Sequence, residues 1–167
     1  MRFLLLAAVL IVVAHAATIE GTVIDANTGA GIAEATVTIV RPNSTQRYQA
    51  TSDSAGQFKL TVPDGAYRAS ASKDGYSAQI PDLAAALASA IQVTANQPAR
   101  VQLKLTPHGD VAGRVLGPGA RPIAGAEVVL VPDLMAEVAT TDDEGRFSFS
   151  NVRPGPYRIL ARPPAAP

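Results

Sequence analysis

Apolar and polar residues alternate with a period of two through much of this chain. Val37 and Ile39 alternate with Thr36 and Thr38. Phe58, Leu60 and Val62 alternate with Gln57, Lys59 and Thr61, and Val101, Leu103 and Leu105 with Arg100, Gln102 and Lys104. That period puts successive side chains on opposite faces, so each segment is a half-buried strand with one face on a core. The predicted strands are 18–24, 35–40, 46–51, 56–62, 66–72, 90–94 and 99–106, then 110–116, 126–131, 136–141, 146–150 and 156–162. Pro81 to Ala90 departs from the pattern, and Asp82 there suits the cap of a short Ala-rich helix or turn.

The strands fall into two copies of one pattern. Ile19-Glu20-Gly21-Thr22-Val23 matches Val111-Ala112-Gly113-Arg114-Val115, and the segment 32–39 matches 123–130. Thr51 to Leu60 matches Thr140 to Phe149, and Val62 to Arg68 matches Val152 to Arg158. The offset drifts from 92 to 89 and back to 90. Each shift is expected in or beside a turn, where a gained or lost residue is tolerated. Asp53-Ser54-Ala55-Gly56 and Asp142-Asp143-Glu144-Gly145 read as hairpin turns. Asp accepts a local backbone hydrogen bond there, and Gly takes the positive φ of a type I turn with a bulge. Gly65 before Tyr67, and Gly155 before Tyr157, mark a second tight turn. Each Tyr then points its ring inward with its hydroxyl near backbone, like a tyrosine corner. Each copy therefore reads as about seven short strands in two packed sheets.

The N-terminus belongs to neither copy. Arg2 precedes the apolar run Phe3 to Ala14, and Ala14-His15-Ala16 fits a small-x-small cleavage site with Ala17 as the first mature residue. The run is short of the roughly 18 residues a membrane span needs, so no span is expected after cleavage. Removal of Arg2 leaves 13 basic against 14 acidic residues, with no run of like charge. A nucleic-acid footprint needs a concentrated basic face, so nucleic acid is excluded as a partner. With no Cys, disulfides and thiolate metal sites are ruled out. Thirteen Gly and thirteen Pro suit many short strands joined by tight turns.

Candidate chemistry is sparse. His108, the one His of the mature chain, lies between the copies and reads as a solvated linker residue. Asp142, Asp143 and Glu144 are adjacent in one turn, without the alternating oxygens of a calcium loop. Asp25 and Asn27, before Thr28-Gly29, suit an Asx-type turn. No Gly-rich phosphate loop precedes a helix. No catalytic residue, metal site or cofactor is expected, and the chain is not expected to be an enzyme. Sugar recognition wants exposed aromatic rings, and the chain has no Trp. Phe58, Phe147, Phe149, Tyr67 and Tyr157 sit at core phase, which leaves Tyr48 and Tyr76 as the candidate ligand-binding residues.

Four motifs in order carry a family resemblance: Gly21 to Ile39, Thr51 to Leu60, Val62 to Tyr76, and the closing Val101 to Leu105. Together they resemble the carboxypeptidase regulatory-like domain. The first copy covers the whole pattern and the second its first three-quarters. The resemblance implies a transthyretin-like (prealbumin-like), immunoglobulin-like β-sandwich grouped with carbohydrate-binding-like folds, and an accessory role. Related sandwiches that form Lys–Asn crosslinks need a Lys on the first strand, and residues 18–24 contain none. Transthyretin-like hydrolases need several His and a C-terminal Tyr-Arg-Gly-Ser, and neither is present.

The expected organisation is a signal peptide helix over 1–16, all-β tandem modules at 17–107 and 108–162, and a Pro-rich tail at 163–167. The second copy has no counterpart of residues 90–106 after Ala161, so it is expected to lack two closing strands. Val128, Leu130, Phe149 and Ile159 are then expected to be less covered. A truncated reading of a longer surface protein, a strand added by a partner, and cover by the first module all explain this, with the first slightly favoured. The function expected is a non-catalytic exported interaction or spacer protein, periplasmic, cell-surface or extracellular, with a protein partner. The alternative is a carbohydrate-binding accessory module on extracellular polysaccharide. Intact-mass measurement of the exported protein is expected to show a chain beginning at Ala17; retention of residues 1–16 would refute the signal peptide.

Overall fold

The computed structural model describes residues 16–78, 90–95, 97–131 and 136–164. The expected signal-peptide helix and the helix or turn after Asp82 lie outside them. The described residues are all-β, with a single one-turn 3-10 segment at Pro118–Ala120. The first module contributes β1 (Ala16–Asp25), β2 (Thr36–Val40), β3 (Arg47–Thr51), β4 (Gln57–Pro63), β5 (Gly65–Ser72), β6 (Tyr76–Ala78), β7 (Ile91–Val93) and β8 (Ala99–Pro107). The second contributes β9 (Gly109–Arg114), β10 (Glu127–Val131), β11 (Glu137–Thr140), β12 (Arg146–Val152) and β13 (Arg158–Arg162). Strand β6 is absent from the sequence-based assignment. It is three residues long, too short to display an alternation, and is held by pairing Tyr76, Ser77 and Ala78 with Pro107, Thr106 and Leu105.

The first module is a sandwich of two four-stranded sheets, ordered β4-β1-β8-β6 and β3-β2-β5-β7. Antiparallel pairing sets Ile19 opposite Leu60 and Gly21 opposite Phe58. Ile19, Val23, Val37, Ile39, Phe58, Val62, Tyr67, Val93 and Leu105 are all buried, so both sheets feed one core. The second module repeats the order with fewer strands: β12-β9 and β11-β10-β13. Its core is Val128, Leu130, Phe149 and Val152, with Val111, Val115, Ala139, Phe147 and Tyr157 partly buried against it.

The thinner second sandwich loses cover elsewhere than the sequence suggested. Val128 and Leu130 are fully buried, because β10 is the middle strand of its sheet, and Phe149 on β12 is nearly so. The loss falls on the strands at the open side. Ile19, Val23 and Tyr67 are fully buried, whereas their counterparts Val111, Val115 and Tyr157 are half-buried. Ile159 faces inward beside Leu130 and is nevertheless 49% exposed, as anticipated for that residue.

Two further details depart from expectation. The offset change between Phe149 and Val152 is a register shift inside β12, not a turn insertion. The extra residue is a bulge, with Asn151 at φ 62, a left-handed conformation that Asn tolerates well. Strand β13 begins at Arg158 rather than 156. Pro156 has no N–H to give a ladder, which suits the later start.

By compactness the described residues divide into two units. One holds 16–24, 30–71 and 90–103; the other holds 25–29, 72–78 and 104–164.

Each module carries one buried hydroxyl that ties its first long loop to its core. Ser52 Oγ accepts from Ala35 N at 2.8 Å and donates to Ile32 O at 2.7 Å. Thr141 Oγ1 does the same with Ala126 N (2.9 Å) and Ile123 O (2.7 Å). These are the buried polar side chains of the described residues, and no buried side-chain polar atom there lacks a partner. Ser52→Ala is expected to destabilise the first module by about 1–3 kcal/mol, because a buried N–H and C=O lose their partner. Ser52→Thr is expected to restore most of it. Urea unfolding with an unchanged m-value checks this, and an Ala variant as stable as wild type would refute it.

Candidate functional site

Three carboxylates, Asp25, Asp53 and Asp142, are spent on turns. Asp53 Oδ1 accepts from Ala55 N (2.9 Å) and Gln57 N (2.8 Å), and Gly56 takes φ 76. Asp142 Oδ1 accepts from Glu144 N (3.0 Å) and Arg146 N (2.7 Å), with Gly145 at φ 72. Asp25 Oδ1 accepts from Asn27 N at 2.8 Å and Thr28 N at 3.1 Å, the Asx-type turn read from the sequence. Among the described residues no group of three His, Asp or Glu side chains is placed to hold a metal ion.

The aromatic residues divide between packing and edge positions. Tyr67 donates its hydroxyl to Pro63 O at 2.7 Å, and Tyr157 to Arg153 O at 2.6 Å. Both are the corner expected from Gly65 and Gly155. The Arg41 guanidinium lies 5.4 Å from the Tyr67 ring centroid and donates to its hydroxyl at 3.4 Å. Tyr48 lies on β3 opposite Ile39 and meets Tyr67 edge to face, with centroids 6.1 Å apart. Tyr76 opens β6 and is also half-buried. The two sequence candidates thus sit on different elements: Tyr48 against the first core, Tyr76 in the other compact unit.

His108 is not the solvated linker residue expected. Within the second unit its Nε2 lies 3.0 Å from Ser77 Oγ and its Nδ1 2.8 Å from Asn151 Oδ1. Its backbone N donates to Gly75 O at 2.8 Å. With the amide oxygen accepting from Nδ1, Nε2 accepts from the Ser77 hydroxyl. Asn151 is the bulge residue, and its own N donates to Asp110 Oδ1 at 3.2 Å. Sequence reasoning missed Ser77 and Asn151; the one-residue offset change before Val152 was the available signal for Asn151. Hydroxyl, imidazole and amide oxygen in this order match nucleophile, base and orienter. Acyl transfer also needs a cleft and oxyanion donors. Grooves lined by described residues lie beside Gly21 and β8, beside β7 and Pro98, and beside Gly113.

One surface differs sharply between the modules. On the outer face of β3-β2-β5, Gln49 is opposite Thr38 and donates to its Oγ1 at 3.3 Å, and Ser70 Oγ donates to Thr38 O at 3.4 Å. At the corresponding positions of β11-β10-β13, Val129 is flanked by Val138 and Leu160. Val138 is 61% exposed and Leu160 49%. A polar row in the first module is an apolar row in the second.

Two β-sandwich modules with corner tyrosines and Asp–Gly hairpins define a tandem all-β sandwich architecture. The family model of the carboxypeptidase regulatory-like domain matches residues 18–106 and 110–165. The chain belongs to that family, in two copies of which the second is shorter. It is 29% identical over 143 residues to halomucin from Haloquadratum walsbyi; the match takes in 84% of this chain and 2% of halomucin's length. Among solved structures, a streptococcal ancillary pilin aligns at a TM-score of 0.58 with 15% identity, over 90% of this chain and 55% of the pilin. The Bacillus anthracis TIE protein aligns at 0.49 with 15% identity, over 89% of this chain and 27% of that one. The chain thus spans about half of the pilin and a small fraction of halomucin. The pilin likeness shows a shared fold.

Burial pushes the Tyr67 phenol above its usual value of 10.0; nearby Arg41 opposes the shift and Tyr48 adds to it. A raised folded-state value stabilises the fold fully below about pH 10, and that contribution is lost as pH rises through the folded value. Thermal melts of wild type are therefore expected to fall above pH 10 more steeply than those of Tyr67→Phe. At neutral pH that variant is expected to be less stable by about 1 kcal/mol, from loss of the bond to Pro63 O. Parallel alkaline slopes would refute the assignment.

Proposed function

We propose that this chain is a non-catalytic, exported interaction or spacer protein that meets other proteins through its second module. The observation that carries the reading is the apolar row of exposed Val138, half-buried Val129 and exposed Leu160, where the first module has Gln49, Thr38 and Ser70. Exposed apolar rows on soluble β modules favour protein contact over solvent. Family membership supports an accessory role, and the carboxylates bound up in turns support a non-catalytic one. The proposed organisation is a signal peptide over 1–16, modules over 17–107 and 108–162, and a Pro-rich tail over 163–167. The apolar N-terminus and the halomucin match support export to the periplasm, cell surface or exterior. No helix among the described residues is long and apolar enough to cross a membrane.

The second reading is a carbohydrate-binding accessory module. Tyr76 favours it, as a half-buried ring at the start of a short strand. Tyr48 favours it less, because its ring packs on Tyr67.

The full chain on a glycan array is expected to show no specific signal, and a panel of ester and peptide substrates no turnover above background. Capture from a surface-protein fraction of the producing cell is expected to recover a protein that V138D and L160D no longer retain. Glycan binding lost in Tyr76→Ala or Tyr48→Ala would install the second reading. Hydrolysis abolished by His108→Ala or Ser77→Ala would overturn the non-catalytic one.

A further inference from the structure

Asparagine occurs along the chain at Asn27, Asn43, Asn96 and Asn151, and only Asn43 is followed two residues later by a hydroxyl. Its tripeptide is Asn43-Ser44-Thr45; the residues two beyond the other three are Gly29, Pro98 and Arg153. The spacing matters chemically. A carboxamide nitrogen is a poor nucleophile, because its lone pair is delocalised into the carbonyl. A Ser or Thr hydroxyl two residues on can reach that amide, and a middle residue other than proline lets the chain bend to bring them together. This is the acceptor pattern for a nitrogen-linked saccharide.

The tripeptide sits where an enzyme can reach it. It lies in the turn that joins β2 to β3, and residues 43–46 are all exposed. Asn43 takes φ 60, a left-handed conformation that bends the chain at the acceptor itself. Backbone and the middle residue hold the turn: Ser44 N donates to Arg41 O at 3.2 Å, and Ser44 Oγ accepts from Gln46 N at 3.1 Å. No hydrogen bond of the described residues uses the side chain of Asn43 or of Thr45. The two groups that the chemistry needs are the two that the turn leaves unused.

We propose that Asn43 is an N-glycosylation site that takes a saccharide from a lipid-linked donor outside the cytoplasm. Nδ2 of Asn43 bonds to the anomeric carbon of the sugar. The bond from that carbon to the donor's phosphate oxygen breaks, and the phosphate leaves with the bonding pair. The amide proton passes to a base of the transferase. The donor is a polyprenyl phosphate or pyrophosphate saccharide, and the transfer involves no oxidant or reductant. The inference rests on the reading of the chain as exported, because donor and transferase act on exported chains.

The position in the fold gives the saccharide a role. Strand β3 is an edge of the sheet β3-β2-β5-β7, so one side of its backbone is open to pairing. It begins at Arg47, shortly after Asn43. A bulky, hydrated group on Asn43 stands at the head of that edge and opposes the approach of another strand. The loop that joins β10 to β11 in the second module, residues 132–136, contains no Asn. The saccharide is thereby confined to the module with the polar outer row, and the apolar row of the other is left bare.

The test purifies the full chain from the cells that produce it and digests it with trypsin. Trypsin cuts after Lys and Arg but not before proline, so Arg41-Pro42 stays intact and Ala17 to Arg47 form one peptide. Its mass is expected to exceed the sequence mass by that of a saccharide, with fragmentation placing the gain on Asn43. Thr45→Ala keeps Asn43 and the bonds of its turn, and is expected to abolish the gain; Thr45→Ser is expected to keep it. An unmodified Asn43, a gain that survives Thr45→Ala, or a gain placed on the Ser44 or Thr45 hydroxyl would each overturn the proposal. The first residue of the same peptide reports separately on export. A peptide that starts at Ala17 with a bare Asn43 defeats the glycan site alone, and one that starts before Ala17 defeats the signal peptide.

Discussion

A single buried hydroxyl in each module decides whether its first loop and its core belong to the same structure. Ser52 and Thr141 each take one N–H and give to one C=O that secondary structure leaves unpaired. Both partners lie in the segment that joins the first strand of a module to its second. Without the hydroxyl, that segment would bury two backbone groups with nothing to bond, and a desolvated unpaired group is among the more expensive faults a fold carries. The hydroxyl residue also opens the run into the Asp–Gly turn. Ser52 precedes Asp53 and Thr141 precedes Asp142, so the bond that fixes the loop also positions the carboxylate that shapes the hairpin. The backbone N of each hydroxyl residue donates back across the same gap, to Ala35 O and Ala126 O at 3.0 Å.

From that anchor the two modules diverge by what surrounds it. The first closes its core with β6, β7 and β8. The second has its best-covered residues on β10, whose two neighbours shield Val128 and Leu130, and its least-covered ones on β9 and around β13. A strand flanked on both sides keeps its core even when the outer positions are empty. Function in this reading follows from asymmetry between copies: equal turns and equal corners, but a polar outer row in one and an apolar outer row in the other.

Much of the fold was legible in the sequence because it is written in local rules. Alternation located the long strands, and Asp with Gly located the hairpins. Gly65 and Gly155 located the corner tyrosines, whose hydroxyl bonds are as anticipated. Strand β6 was hidden because three residues cannot show a period, and its existence depends on β8, about 30 residues away in sequence. The bulge at Asn151 was visible only as a drift of one in the repeat offset, which a turn would have explained equally well. The bonds of His108 were hidden for the same reason: Ser77 and Asn151 meet it through tertiary structure that no local pattern encodes. Coverage was misjudged for Val128, Leu130 and Phe149 because the repeat pattern alone does not show which residues the neighbouring strands cover.

The apolar row on β11-β10-β13 carries its own safeguard. Arg158 and Arg162 stand two residues either side of Leu160 on the same outward face, and Arg162 is paired with Glu127 at 3.3 Å. Two such faces stacked on each other, as in a fibril, would have to bury four guanidinium groups along with the two rows of Val138, Val129 and Leu160. The cost in lost hydration opposes the apolar gain, so charges so placed are gatekeepers against self-stacking. In the proposed reading, one sheet would thus resist stacking on its own copy and still present an apolar row to a differently charged partner.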